Sequence, residues 1–391
     1  MSVTRPAGFR AGSATAGLKA SGTPDIALLV NDGPLDVAAA VFTTNRARAH
    51  PVLWSEQAVR TGTARAVAVN AGNANCYTGP EGFSVTHATA EHVAGLLGAP
   101  GAEVGAIDVL VCSTGIIGVP LDTATVLAGM DGAAAALGAE DEHGEGFAGA
   151  ILTTDTHAKQ AVHVDPAGWS IGGAAKGAGM LAPGLATMLV HLTTDAVLTA
   201  ADADAALRAA TAQTFDRLDS DGCMSTNDTV TLMASGASGV TPAAADLAAA
   251  LTAVCHELAM LLLADAEGSE HDVAVRVVGA ASEADAVEVG RSVARSALVK
   301  TAIFGRDPNW GRVLAAVGTT TAEFEPFEVD VSVNGVQVCR AGGPGEDRSL
   351  VDLSARWVDL VVDLHAGTEA ATVWTNDLTT AYVHENSAYS S

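Results

Sequence analysis

Cysteine is scarce and scattered: Cys76, Cys112, Cys223, Cys255 and Cys339 are odd in number and never share a C-x-x-C pair. This argues against a disulfide framework and a thiolate zinc site, and the five read as buried thiols. Histidine spacing is equally unhelpful to a metal. His87 and His92 lie five apart, not the four that places two imidazoles on one helical face, and His256-Glu257 has no histidine four residues on. No metal and no cofactor is expected.

Basic residues are few. Twenty Lys and Arg face 45 Asp and Glu, a formal charge of −25, and such a field repels phosphate backbones and anionic lipid surfaces. Neither nucleic acid nor a membrane is expected as a partner, and an anionic small substrate would need a local cation. Aromatics make up only 4% of the chain, so Ala and Val must fill the interior, with 41 glycines for tight turns and close backbone approaches. The opening MSVTRPAGFRAGSATAGLKA lacks the apolar run of about seven to fifteen residues of a secretory signal, which points to the cytoplasm. The longest charge-free apolar stretch, 177 to 194, contains Pro183, three glycines and His191. It suits a buried turn and strand better than a membrane span.

What is present is ample core material: 391 residues, 49% apolar, enough for two ordinary domains or one large layered α/β unit. IALLV (26 to 30), AVAVN (66 to 70) and AIDVLVCSTG (106 to 115) read as strands, interleaved with helical patterns such as THATAEHVAGLLG. TAADADAALRAATAQTFDRL, PAAADLAAALTAVCHELAMLLLADAEG and ADAVEVGRSVARSALVKTA read as three long amphipathic helices. The Gly/Ala/Glu-rich stretch 131 to 149 reads as a surface loop. After residue 325 the pattern alternates. VDVSVNGVQV carries an Asn334-Gly335 hairpin turn, and WVDLVVDLH and ATVWTNDLTTAYV extend a β-rich region almost to a short tail, NSAYSS.

In GLATMLVHL (184 to 192), Thr187 opens an apolar run just after Ala182-Pro183-Gly184. A threonine hydroxyl is a weak nucleophile without a base, and no Ser-His-Asp constellation can be identified by spacing. One economical base is the backbone itself. If the Ala186-Thr187 bond breaks, Thr187 gains an α-amine whose ordinary pKa is about 7.7 to 8, near enough to neutrality to take the proton of its own hydroxyl. The break can be internal: the hydroxyl attacks the Ala186 carbonyl, the amide becomes an ester, and water releases the two pieces. The bland alternative is a packed threonine at a strand start.

AAKGAGMLAPGLATMLVHLTTDA resembles the processing site of the glutamate N-acetyltransferase (ornithine acetyltransferase) family, in which such a threonine is both the self-cleavage point and the acyl carrier. Further blocks resemble the same family in the same order: VNAGNANCYTG (69 to 79), VCSTGIIG (111 to 118), ILTTDT (151 to 156), STNDTV (225 to 230), DAEG (265 to 268), LVKTAIFGRDPNWGRV (298 to 313) and the final AYVHENSAYSS. They span essentially the whole chain. Departures such as Gly184-Leu185, where the family more often has Asn and Met, and Cys223-Met224 alter volumes but remove no functional group.

The resemblance implies a layered α/β sandwich of the self-processing N-terminal-nucleophile-like type with a β-rich C-terminal region. It implies an α fragment (1 to 186) and a β fragment (187 to 391) associated as α2β2. It assigns an oxyanion pair to Thr114 and Gly115, which otherwise form an ordinary strand-ending turn. Substrate contacts fall to Thr153, Lys176, Thr187, Glu267, Asn386 and Ser391. Lys176, in GGAAKGAGM, lacks the G-K-[ST] ending of a phosphate loop and could balance a substrate carboxylate. Glu267 could meet an ammonium group. GRDPNWGR (305 to 312) reads as a structural brace near the site, and Asn70 to Asn75 and Asp228 as residues that satisfy turns.

The implied activity is ping-pong transfer of acetyl from N2-acetyl-L-ornithine to L-glutamate in arginine biosynthesis, with acetyl-CoA as a possible second donor. A self-processing aminopeptidase or amidohydrolase and an acidic, non-catalytic binding protein are the competing readings.

Overall fold

The computed structural model describes residues 2–99, 103–180 and 188–388. Three sheets organise it. The first has four strands in the order Phe9–Ala14, Ile26–Asn31, Ala66–Asn73, Val109–Ile116, the last pair parallel. The second has five, in the order Val37–Phe42, Thr229–Ala234, Leu189–Thr194, Ser170–Lys176, Lys159–Val164. The third has six, in the order Gly343–Pro344, Val336–Arg340, Asp330–Val333, Trp357–Asp363, Asp272–Ala280, Glu369–Asn376.

Ile26–Asn31 and Leu189–Thr194 are buried along all six of their residues, as expected of strands covered on both faces. One apolar core joins the first sheet and its helices to Ala174, Leu189 and Met233 of the five-stranded sheet. The opposite face of that sheet is covered by the helices Ala200–Gln213 and Ala244–Ala264. Ala244–Ala264 is the one helix among the described residues long and apolar enough to cross a membrane. Here nine of its residues, Leu247 to Leu263, are buried in that second core. A third core lies between the six-stranded sheet and the helices Glu283–Arg295, Ala297–Phe304 and Trp310–Val317. The layered α/β architecture and the β-rich C-terminal region are therefore those expected from the sequence.

Several local expectations need correction. Residues 131 to 149 are not a surface loop. They belong mostly to the helices Thr123–Ala135 and Asp141–Ala150, and Phe147 is fully buried. Their glycines weaken helix propensity by about 1 kcal/mol each, but Gly144 lies where a β-carbon would strike Ser2 Oγ at 1.7 Å, so close packing selects it. The single long helix expected over 284 to 302 is two, because Ser296 adopts an extended conformation and caps the second through Val299 N–H. Residues 106–108 are a 3-10 turn ahead of the strand. The chain end is not β: Thr380–Ala388 is a helix, begun by Thr379 Oγ1 accepting from Tyr382 N–H at 2.9 Å. Cys223 is exposed, while the other four thiols are buried. Asn334 (φ +48°) and Gly335 (φ +84°) form the expected hairpin turn, both in the left-handed region.

His191, on the central strand of the five-stranded sheet, packs edge-on against Phe147 with ring centroids 5.4 Å apart. Its Nδ1 meets Thr231 Oγ1 at 2.9 Å, and its Nε2 has no partner among the described residues. Burial pushes its pKa down to about 3. The unfolded chain therefore takes up this proton first as pH falls below about 6.5, and stability drains away between about pH 6.5 and 3 at up to about 1.4 kcal/mol per pH unit. His191→Gln should flatten that segment. Urea midpoints of both proteins at pH 7 and pH 5 check it; an equal fall in each would contradict the assignment.

Candidate functional site

The Val109–Ile116 strand ends beside Ala66–Asn73, where the register slips at Gly72 and Asn73. Gly115 has φ +129°, and a β-carbon there would lie 2.3 Å from Gly72 C and 2.5 Å from Asn73 N. Only glycine fits this irregularity. Asn227 pins the neighbouring loop down, its Nδ2 donating to Ser113 O at 2.8 Å and Ala74 O at 2.7 Å. Ser113 Oγ donates to Asn70 Oδ1 at 2.5 Å. The turn-satisfying role expected of Asn70 to Asn75 is what these residues perform, with Asn73 and Asn75 bonded to neighbouring backbone.

Lys176 ends the Ser170–Lys176 strand, opposite Leu189 in the register, and is buried. Its Nζ donates to Thr153 Oγ1 at 2.7 Å and to Thr114 Oγ1 at 3.1 Å. Three residues separated widely in sequence thus meet at one ammonium group. The cation at this meeting point is the buried Lys176. Burial lowers its pKa, opposed chiefly by the charge of Asp155.

ILTTDT and DAEG hold Asp155 and Asp265, and nothing in their spacing joins them to each other. Lys159 Nζ donates to Asp155 Oδ1 at 2.7 Å and Asp265 Oδ2 at 2.6 Å, and all three side chains are buried. Asp155 also accepts from Gly177 N–H at 2.6 Å and lies 3.8 Å from Lys176 Nζ. Burial alone would raise the Asp155 pKa. The charges of Lys176 and Lys159 with these hydrogen bonds overcome it and hold Asp155 at about 2. Two lysines and two carboxylates form a closed, charge-balanced unit behind the Thr114–Thr153 pair. The Asp155-to-Lys159 spacing was the available signal, but i,i+4 suggests a helix, whereas here the chain turns into a strand.

Glu267 follows the Ala244–Ala264 helix, and its N–H donates to Ala178 O at 3.0 Å, directly beyond Lys176. Gly179 admits its carboxylate: a β-carbon there would sit 2.7 Å from Glu267 Oε2. Asn386, on the last helix, donates to Glu267 Oε2 at 3.1 Å. Behind Glu267 lies a cavity of about 120 Å³ lined by Asp221, Lys300, Asn376 and Tyr382. Lys300 is pushed down to about 8 by burial, and Tyr382 up to about 12 by burial and then by Asp221 and Glu267. A larger cavity, about 640 Å³, beside Arg217, Arg291 and Arg295 contains none of the expected site residues, so volume does not locate the chemistry here. GRDPNWGR acts as a brace: Arg312 Nη1 donates to Leu298 O at 2.7 Å, tying Trp310–Val317 to the helix carrying Lys300.

Ala186, Thr187 and Ser391 lie outside the described residues. The next residue, Met188, is buried, and its N–H donates to Asp228 Oδ1 at 3.1 Å. Asp228 was expected merely to satisfy a turn. It is fully buried as well, bonded by Ser225 three residues before it and by the Met188 N–H, and burial pushes its carboxyl well above the usual carboxylate range. Among the described residues no cluster of three or more His, Cys, Asp or Glu side chains could hold a metal ion.

The ArgJ family model matches residues 10–391. The arginine biosynthesis bifunctional protein ArgJ of Streptomyces avermitilis is 60% identical over 392 residues, covering 100% of both chains. That of Mycobacterium leprae is 54% identical over 389 residues, covering 100% of this chain and 96% of the relative. The solved ornithine acetyltransferase from Mycobacterium tuberculosis, complexed with ornithine, is 51% identical, covers 46% of this chain and 94% of its own, and superposes with a TM-score of 0.46. The molecule is an enzyme, an acyltransferase. The chain belongs to the ArgJ family of arginine-biosynthesis proteins.

Proposed function

We propose that the chain cuts itself between Ala186 and Thr187 into fragments 1–186 and 187–391, and that Thr187 then carries acetyl from N2-acetyl-L-ornithine to L-glutamate. The observation that most supports this is the meeting of Thr114, Thr153 and Lys176 through one buried ammonium. Lys176 pairs with Leu189, two residues beyond the candidate nucleophile.

The Thr187 hydroxyl attacks the acetyl carbonyl while the free α-amine takes its proton. The C–N bond then breaks, ornithine leaves with that proton, and a threonyl ester remains. The glutamate amine attacks the ester in turn and restores the hydroxyl. Thr114 and Gly115 stabilise the oxyanion in both steps. Lys176 faces a substrate carboxylate, Glu267 with Asn386 faces an ammonium group, and Thr153 fixes Lys176. Ser391 is a further contact. The fragments stay associated as α2β2 and work in the cytoplasm without a cofactor.

Acetylornithine assayed with and without glutamate tests the reaction. Acetylglutamate formed only with the acceptor is expected; ornithine released at full rate without glutamate would make the enzyme an amidohydrolase instead. Thr114→Val removes one hydroxyl donor and should lower kcat by about 10²–10³-fold, with the two fragments still forming. A kcat within twofold of wild type would remove Thr114 from the oxyanion pair.

A further inference from the structure

The two amino acids of the proposed reaction end in opposite charges, ornithine in an ammonium and glutamate in a carboxylate. In a ping-pong transfer each in turn brings its α-nitrogen to the same acyl carrier, so both side chains set out from one point. Glu267 with Asn386 suits the ammonium end, but a carboxylate brought against Glu267 is repelled. A cation has to meet the carboxylate end.

The cavity of about 120 Å³ behind Glu267 holds one. Lys300, on the helix Ala297–Phe304, lines that cavity and is only 6% exposed. Its Nζ donates to Thr375 Oγ1 at 2.8 Å and to Asn376 O, both neutral, and among the described residues it forms no salt bridge. An ammonium has three N–H donors, and these bonds use two. The charges of Asp219, Asp221 and Asp377 act on it, yet each carboxylate has nearer partners. Asp219 Oδ2 accepts from Arg295 Nε at 2.6 Å, and Asp377 Oδ2 meets His271 Nδ1 at 2.7 Å. Asp221 accepts the Met180 N–H at 2.6 Å and the Cys223 N–H at 3.3 Å. Arg295, the other cation lining the cavity, is engaged by Asp219, and Tyr382, held up at about 12, lines it as a neutral phenol. Lys300 is therefore a buried cation whose close contacts are all neutral, and burial outweighs the three carboxylates to bring its pKa down to about 8.

We propose that Lys300 is a specificity-determining residue: its ammonium binds the side-chain carboxylate of glutamate in the cavity behind Glu267, while the side-chain ammonium of ornithine binds Glu267 itself. The inference rests on the acetyl transfer proposed above and leaves its chemical steps as they are. A carboxylate in this cavity gives the buried ammonium the counter-ion that the chain does not place against it.

Acetylornithine and acetylglutamate, used as donors in the two directions of the reaction, separate the side chains, because in ping-pong kinetics kcat/KM for a donor reports its own half-reaction. Neither has a free α-amine to titrate. Lys300→Gln should lower kcat/KM for acetylglutamate relative to acetylornithine by about tenfold or more, the loss of one charged hydrogen bond. In wild type the same ratio should fall as pH rises past about 8, where the ammonium loses its proton, and that fall should be missing from Lys300→Gln. A lysine that merely braces Asn376 would depress both donors together. Equal losses for the two donors, a wild-type ratio that stays level through pH 8, or a fall that persists in Lys300→Gln would each overturn the proposal. If Lys300→Gln does not fold, the wild-type pH series decides. A wild-type protein that takes acetyl from neither donor sinks the transfer reaction first, and this inference with it.

Discussion

Thr187→Ala should leave one intact chain of 39.1 kDa on a denaturing gel and lower acetyl transfer by a factor on the order of 10⁴ or more. The size follows from what one atom is asked to do. In the proposed mechanism Oγ of Thr187 breaks the chain and later carries the acetyl group, and its own amine is the base. Removing it takes nucleophile and base away together, since the amine is never released. Where nucleophile and base act as a unit, losing one forfeits the catalysis of the whole set, and what remains is about 10³–10⁴-fold over water from binding and oxyanion stabilisation. Thr187→Ser should restore cutting, because serine keeps the hydroxyl. An uncut Thr187→Ala protein that transfers acetyl at the wild-type rate would refute the nucleophile. So would a Thr187→Ala protein that is cut at the same bond.

Asp155→Asn should destabilise the fold by about 3–5 kcal/mol, because removing one member of a buried ion pair strands the opposite charge. The carboxylate it removes accepts from Lys159 Nζ at 2.7 Å and from Gly177 N–H at 2.6 Å and lies 3.8 Å from Lys176 Nζ. Asn preserves volume and one acceptor but leaves Lys159 with Asp265 alone and takes from Lys176 the carboxylate 3.8 Å away. The substitution also disturbs the hold of Lys176 on Thr114 and Thr153, so KM for both amino-acid substrates should rise along with the loss of stability. The pH dependence has a definite sign. Asp155 is held at about 2, below its unfolded value of about 3.9. Its contribution is present above about pH 4 and is lost as pH falls from there toward 2. Wild type should weaken across that window more steeply than Asp155→Asn. Urea unfolding at pH 7, 4 and 3 checks both statements; a change under about 1 kcal/mol at pH 7 would mean that solvent reaches the network.

Much of the architecture was legible. Ile26–Asn31, Ala66–Asn73, the Asn334-Gly335 hairpin and the Ala244–Ala264 helix each follow from a local pattern that agrees with its tertiary setting. The failures have physical causes. Gly144 and its neighbours read as loop, yet they are helical, and glycine stands at 144 because Ser2 crowds the helix too closely for a side chain. TTAYVHEN contains β-branched and aromatic residues that favour strands, yet a single cap at Thr379 and its bond to Gly268 O turn the chain into a helix. That helix brings Asn386 to Glu267.

At the site, resemblance located the blocks, and the structure brings Thr114, Thr153 and Lys176 together, as it does Glu267 and Asn386. What resemblance to motifs did not supply was the ionic support. Asp155 and Asp265 lie two residues from Thr153 and Glu267, and only the fold shows that both reach Lys159. Asp228 reads as a turn residue because such polar side chains more often satisfy turns. Its complete burial cannot be read from composition or spacing.

Mass spectrometry of enzyme incubated with acetylornithine alone, without glutamate, looks for the acyl-enzyme itself. A fragment that begins Thr-Met-Leu and carries one acetyl group on Thr187, which glutamate then removes as acetylglutamate, is the expected result. A C-terminal fragment without added mass, in a preparation that still transfers acetyl when glutamate is supplied, would contradict it.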